Sequence, residues 1–156
     1  MDVSYEQVVD ILKSERVEIE DIAKLAYDLQ KPYIPDLTLK EAIDSVKCVL
    51  SKREVMNAIM VGAELDSSAR ENRMKNKTLQ AIIEEDAGLF GVDEIVALSI
   101  CNVYGSIALT NFGYIDKIKP GIIGVLNGDQ IRCNVFMDDI VGAIAASAAS
   151  RLAHRH

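Results

Sequence analysis

Two pairs of adjacent acidic residues each stand directly before an apolar stretch of the sequence. Asp93-Glu94 precedes the apolar residues 95–98, and Asp138-Asp139 precedes residues 140–149, most of which are alanine, glycine or isoleucine. A helix that is apolar on every side belongs in the interior of a protein. The sequence therefore predicts two buried helices, each of which begins with two carboxylates.

The chemistry of these carboxylates depends on whether the two helix starts lie side by side. If they do, Asp93, Glu94, Asp138 and Asp139 concentrate negative charge, which raises their pKa values or requires a cation. Mg²⁺ prefers such oxygen ligands and often bridges to a substrate phosphate, and helix N-termini attract anions. These four residues are therefore the candidate metal ligands, with ordinary helix capping as the alternative role for each pair.

A third motif, Asp116-Lys117-Ile118-Lys119-Pro120, lies between the two acidic pairs. Lys117 or Lys119 can neutralise a phosphate oxygen, and Asp116 can serve as a metal ligand, a general base or a nucleophile. Metal-assisted hydrolysis of a phosphate ester requires these groups and little else. Asp116, Lys117 and Lys119 are therefore the candidate catalytic residues, and Glu64 and Asp66 are candidates for an accessory acid.

Helical patterns cover most of the chain and must position these residues. Three capping boxes predict helix starts, namely Ser4 with Gln7, Thr38 with Glu41, and Ser51 with Glu54. Gly88 and Gly91 flank a predicted turn before a helix that runs from Val92 to about Thr110, where Asn111–Gly113 ends it. The last helix is predicted to begin at Asp138.

Length and composition favour one all-α domain over residues 1–156, with its motif-bearing core at about residues 55–154. Hydrophobic residues make up 49% of the chain but aromatic residues only 5%. Such a core is aliphatic and rich in alanine, which favours closely packed helices over a β-sandwich. The expected architecture is a compact multi-helix bundle with buried helices of small residues.

Charge and cysteine content exclude several classes of partner. The net charge of −7 argues against nucleic acid, because a phosphate backbone requires basic surfaces. Cys48, Cys101 and Cys133 match no zinc pattern and indicate a reducing, cytoplasmic compartment. The longest apolar run, residues 95–109, is shorter than the roughly 20 residues that cross a bilayer, so we expect no transmembrane segment.

The order of three motifs resembles the phosphatidylglycerophosphatase A family. These motifs are Val92–Val96, Ile115–Pro120 and Met137–Gly142, and the resemblance extends toward the N-terminus if Val61–Asp66 belongs to it. It implies an all-helical domain and Mg²⁺-dependent removal of the phosphomonoester of phosphatidylglycerophosphate, with the acidic residues and lysines as the site. The spanning helices and Pro-Gly-Thr motif of membrane-bound members are missing here, which suggests a soluble branch and a smaller phosphate ester.

Two other functions remain open at this point. Glu15-x-x-Glu18 and Glu41-x-x-Asp44 have a spacing that can present carboxylates from two helices to Mg²⁺, as in an all-α nucleotide pyrophosphohydrolase. A non-catalytic oligomeric scaffold or anion-sensing protein would retain the fold without the reaction. Because helix faces of small residues often pack against copies of themselves, we expect a homo-oligomer.

Overall fold

The computed structural model describes residues 2–129 and 134–155, so Cys133 lies outside the described residues. All regular secondary structure in these two ranges is helical, which confirms the predicted all-α fold. No helix in them is both long and apolar enough to cross a membrane. The helices are α1 (Tyr5–Ser14), α2 (Ile19–Gln30), α3 (Leu39–Leu50), α4 (Arg53–Arg70), α5 (Lys77–Glu84), α6 (Val92–Tyr104), α7 (Ser106–Ile118), α8 (Ile122–Asn127) and α9 (Val135–Arg155).

Helix α9 lies at the centre of the fold, as its composition predicts. Every residue from Val135 to Ser150 is buried, and most of them from Gly142 onward are small. Because a helix of this kind has no polar face for solvent, it needs neighbours all round. Helices α2, α3, α4, α6, α7 and α8 supply them.

Helix α4 crosses α9 closely at Gly62. A Cβ atom at Gly62 would lie 2.1 Å from Cδ1 of Ile140 and 3.2 Å from Cβ of Phe136. The missing side chain therefore lets the first turns of α9 pack directly on the α4 backbone. This close approach fixes the point along α4 against which the acidic end of α9 packs.

The carboxylate of Asp66, one turn further along α4, caps the start of α9. Asp66 is fully buried, and its two oxygens accept the N–H groups of Phe136 at 3.0 Å and Met137 at 2.9 Å. The first N–H groups of a helix have no acceptor within the helix itself. The side-chain amide of Asn134, the residue before α9, donates to the carbonyl of Leu126 in α8 at 3.0 Å.

Two of the three predicted capping boxes are confirmed and the third is wrong. Ser4 with Gln7 begins α1, and Thr38 with Glu41 begins α3. The hydroxyl of Ser51 instead donates to the carbonyl of Lys47 at 2.8 Å, within the end of α3. Lys52, and not Ser51, is the residue that precedes α4, and the Ser51 hydroxyl does not cap that helix.

The predicted helix from Val92 to Thr110 is also wrong, because Gly105 divides this segment into α6 and α7. Gly105 has φ 93° and ψ −159°, a conformation that glycine adopts without strain. Residues 111–113 lie inside α7, since Phe112 continues the buried face of that helix. The last helix likewise begins at Val135, three residues before the predicted start.

We expect Asp66→Ala to lower the free energy of unfolding by about 1–3 kcal/mol, because two buried N–H groups would lose their acceptor. Urea unfolding measures this change. Glu64→Ala is the matched control on the same helix, because the Glu64 side chain is 71% exposed, and it should cost less than about 0.5 kcal/mol. Equal losses in the two variants would contradict the capping role of Asp66.

Candidate functional site

A cavity of about 180 Å³ lies where the start of α6, the end of α7 and the first turns of α9 meet. The loop between α5 and α6 covers one side of it, and Asn127 at the end of α8 lies on another. Its acidic lining residues are Asp86, Asp93, Glu94, Asp116, Asp138 and Asp139. The two acidic pairs and Asp116 are therefore brought together, although Asp93 and Asp139 are far apart in the chain.

The carboxyl group of Asp139 is the centre of this cluster. It is 5% exposed and forms side-chain hydrogen bonds with Asp116 and with Asp93. Burial, the charge of Asp138 and these two hydrogen bonds raise the pKa of Asp139 far above the ordinary aspartate value. Asp139 therefore holds a proton that it shares with carboxylates from α6 and α7.

Asp138 lies beside Asp139 but has different partners. Its Oδ1 accepts the backbone N–H of Asp139 at 2.7 Å, and its Oδ2 lies 3.8 Å from Nζ of Lys119. Burial raises the pKa of Asp138 to about 7, with smaller increases from Asp86 and Asp93, while Lys119 opposes the rise. Its charge therefore changes near neutral pH when no cation is bound.

Lys119 is the cation that lines the cavity in the part of the chain that the structure describes. Its Nζ lies 2.8 Å from Oδ1 of Asp116, and the residue adopts a left-handed conformation (φ 51°, ψ 53°) at the end of α7. Burial raises the pKa of Asp116, but hydrogen bonds from Lys119 and Asp139 outweigh it and leave that pKa lowered. Asp116 is therefore the ionised partner of Lys119.

The second predicted lysine, Lys117, occupies a different environment. Its side chain is exposed on the outer side of α7, and it is not among the residues that line the cavity. The two residues are half a helical turn apart, so they face different directions. The structure thus brings Lys119, and not Lys117, to the acidic cluster.

Asp86 is a site residue that the sequence did not single out. It lies in the loop before α6, where Asp86, Leu89 and Gly91 all have positive φ values of 47°, 63° and 82°. Burial and the nearby charge of Asp93 raise the pKa of Asp86. The turn predicted at Gly88 and Gly91 could have indicated this position, because such a turn brings the residues before it close to the start of α6.

The other predicted acids lie in three different settings. Glu94 is exposed at the rim of the cavity. Glu64 points to solvent, where it accepts a hydrogen bond from Ser68 and lies 3.7 Å from Arg73. Asp66 serves α9 as its cap, and its position on the apolar stripe of α4 was the signal for a buried role.

The acids of the alternative pyrophosphohydrolase site are engaged elsewhere. Glu15 is 4% exposed and receives two hydrogen bonds from the guanidinium of Arg70, at 2.8 Å and 3.0 Å. Glu41 belongs to the capping box of α3, and Asp44 pairs with Lys40 at 2.8 Å on the surface. These contacts are structural, and none of the four acids lines the acidic cavity.

The donor set of the cavity fits a hard divalent cation in its chemistry. Carboxylate oxygens surround it, and no sulfur or imidazole group is among the lining residues that the structure describes. In residues 2–129 and 134–155, no three acidic, histidine or cysteine side chains already form a metal-binding cluster. Hydrogen bonds of Asp139 with Asp93 and with Asp116 hold the three carboxyl groups together.

The chain is similar in sequence to two proteins of Bacillus subtilis and one archaeal protein. It is 54% identical to YutG over 92% of this chain and 87% of YutG. It is 49% identical to YpjQ, over 94% of this chain and 82% of YpjQ. The protein MJ1330 of Methanocaldococcus jannaschii is 31% identical over 66% of this chain and 76% of its own length.

Solved structures and a family model agree with these relatives. A protein of unknown function from Bacillus stearothermophilus superposes with a TM-score of 0.95 at 55% identity, covering 99% of this chain and 96% of that one. The low temperature requirement C protein of Listeria monocytogenes gives 0.93 at 53% identity, over 97% and 95% of the two chains. The model of the phosphatidylglycerophosphatase A family matches residues 19–154, and the chain therefore belongs to that family.

Proposed function

We propose that this chain is a Mg²⁺-dependent phosphatase that hydrolyses a phosphomonoester at the acidic cavity. Family membership supports a phosphatase-like reaction. The observation that carries the proposal is the meeting of carboxylates from α6, α7 and α9 with one lysine around a single cavity. By likeness to the family, the substrate is phosphatidylglycerophosphate or a related smaller phosphate ester.

Three aspartates would hold the cation. Asp93, Asp138 and Asp139 come from the two acidic helix starts, and Glu94 at the rim completes the predicted set. Bound Mg²⁺ would polarise the phosphoryl group and balance the negative charge of the ester and the carboxylates. To bind Mg²⁺, Asp139 would have to release the proton that it shares with Asp93 and Asp116.

Lys119 and Asp116 would act on the phosphate and on the attacking water. The ammonium group of Lys119, which is partly exposed to the cavity, would bind a phosphate oxygen and stabilise the charge that develops in the transition state. Asp116 is ionised and adjacent, so it can orient a water molecule and accept its proton. The water oxygen bonds to phosphorus as its proton passes to Asp116, and the ester P–O bond breaks. The leaving alkoxide takes a proton from solvent, and Asp116 then returns its own proton to solvent.

The proposal is tested by phosphate release from a panel of phosphomonoesters, with Mg²⁺ and with a chelator. Asp139→Asn should abolish release while the circular dichroism spectrum stays helical, because an amide cannot replace the central carboxylate. Asp44→Asn is the control, since it removes an acid that is half exposed on α3. Turnover that is unaffected by chelator and by Asp139→Asn would refute the proposal, and anion binding without turnover would favour a sensor.

The two lysines of the motif should differ in their effect on catalysis. We expect Lys119→Met to lower kcat/KM by about 100-fold, because the phosphate would lose its cation in a partly buried site. Lys117→Met should leave kcat/KM unchanged, because that side chain lies outside the cavity lining. Steady-state kinetics of both variants on the same substrate measure this difference. Equal losses would place the anion contact elsewhere.

The stability of the chelator-treated protein should fall as pH rises from about 4 to 7. The pKa values of Asp66 and Asp138 are raised to about 7 in the folded chain, from an ordinary value of 3.8. The folded state therefore holds protons that the unfolded state has released, and this contribution to stability is lost as pH rises through the folded pKa. Thermal unfolding across this pH range measures the trend.

Two further measurements test whether this pH dependence of stability arises from the carboxylates of the cavity. Asp138→Asn should flatten the fall in melting temperature, because the asparagine cannot ionise. Mg²⁺ should raise the melting temperature more at pH 8 than at pH 5, since the carboxylates would then be free to bind it. A Mg²⁺ effect that is equal at both values would argue against binding to these carboxylates.

A further inference from the structure

The longest uncharged segment of the sequence forms two neighbouring helices. Between Glu94 and Asp116 no residue carries a charge, although 26% of the chain is charged. This segment contains most of α6 and α7, which are joined through the single residue Gly105 and contact each other. Both helices also pack against α9, with residues such as Ala97, Ile100 and Phe112 facing inward.

The outward sides of these helices carry large apolar side chains that remain exposed. We define the α6–α7 face by Ile95, Leu98, Val103, Leu109, Tyr114 and Ile118. Ile95 is 65% exposed and Tyr114 is 56% exposed. Helices that are apolar on both sides are normally covered on both sides, so this face lacks a partner in the single chain.

Gly113 is a second, independent feature of the α6–α7 face. It lies in the interior of α7 beside Tyr114, and a Cβ atom placed there would have no other atom within 4 Å. A glycine inside a helix is less favourable than alanine, and nothing in this chain occupies the space that it leaves. The backbone of α7 beside Tyr114 is therefore open to close approach by an opposing surface.

We propose that a second copy of this chain packs on the α6–α7 face to form a twofold-symmetric dimer. A twofold interface uses the same patch on both subunits, and this patch offers exposed apolar side chains such as Tyr114 and Ile95 together with open backbone at Gly113. The six apolar side chains of the face extend over two helices.

Charge favours a second copy over a lipid surface. Each chain has a net charge of −7, so two chains approach best where acidic side chains are absent, as they are between Glu94 and Asp116. Interfacial helices that bind membranes place several basic residues beside their apolar side chains. Lys117 is the one basic residue within α6 and α7, and Asp93, Glu94 and Asp116 are also present there.

The mass of the full chain in solution tests this proposal. Light scattering on a sizing column at high micromolar concentration should give twice the 17.1 kDa of one chain. Ile95→Glu should reduce the mass to that of one chain, because it would bury a charge at the interface. Val61→Glu is the matched control, since Val61 is 50% exposed on α4 outside this face, and its mass should stay doubled.

Gly113→Gln separates loss of the dimer from loss of the fold. Glutamine favours helix and has room in the single chain, so the melting temperature of the monomer should not fall, while the dissociation constant of the dimer should rise about tenfold. A wild-type chain of single mass, or a dimer that neither Ile95→Glu nor Gly113→Gln weakens, would overturn the proposal. Single chains that bind phosphatidylcholine vesicles, and lose this binding in Ile95→Glu, would overturn it in favour of a lipid surface.

Discussion

The buried first turn of α9 needs hydrogen-bond acceptors that its own sequence does not supply. Asp66 provides both of them from α4, and Gly62 one turn earlier removes the side chain that would keep the two helices apart. Without this pair of contacts, two unsatisfied N–H groups would lie in the core at a cost of about 1–3 kcal/mol. The direction in which Asp138 and Asp139 leave α9 therefore depends on a carboxylate that is not itself among the residues lining the cavity.

Other polar contacts hold α4 and α9 against the remaining helices. Arg70, one turn after Asp66, binds both carboxylate oxygens of Glu15 and so ties α4 to the end of α1. Toward the other end of α9, Ser45 of α3 donates to the carbonyl of Ala148 at 2.9 Å. The acidic cavity can then tolerate mutual repulsion among its carboxylates, because α9, which carries two of them, is held in place by contacts elsewhere.

The sequence predicted the helical class, the buried α9 and two of the capping boxes, because each depends on local spacing or composition. It could not locate the break at Gly105, since a single glycine gives no stronger signal than Asn111 and Gly113, both of which α7 tolerates. Asp86 was missed because its approach to the cluster depends on three positive φ values in one loop. The separate settings of Lys117 and Lys119 likewise follow from where α7 ends, which the sequence alone did not specify.

The central position of α9 has a consequence for the order in which the chain can fold during synthesis. Helices α2, α3, α4, α6, α7 and α8 all pack on a segment that follows them in the sequence. Until that segment has left the ribosome, their inner faces have no common core to cover them, and contacts of long sequence separation must form late. Nascent chains should therefore lack a closed core until α9 emerges, after which the other helices can pack around it.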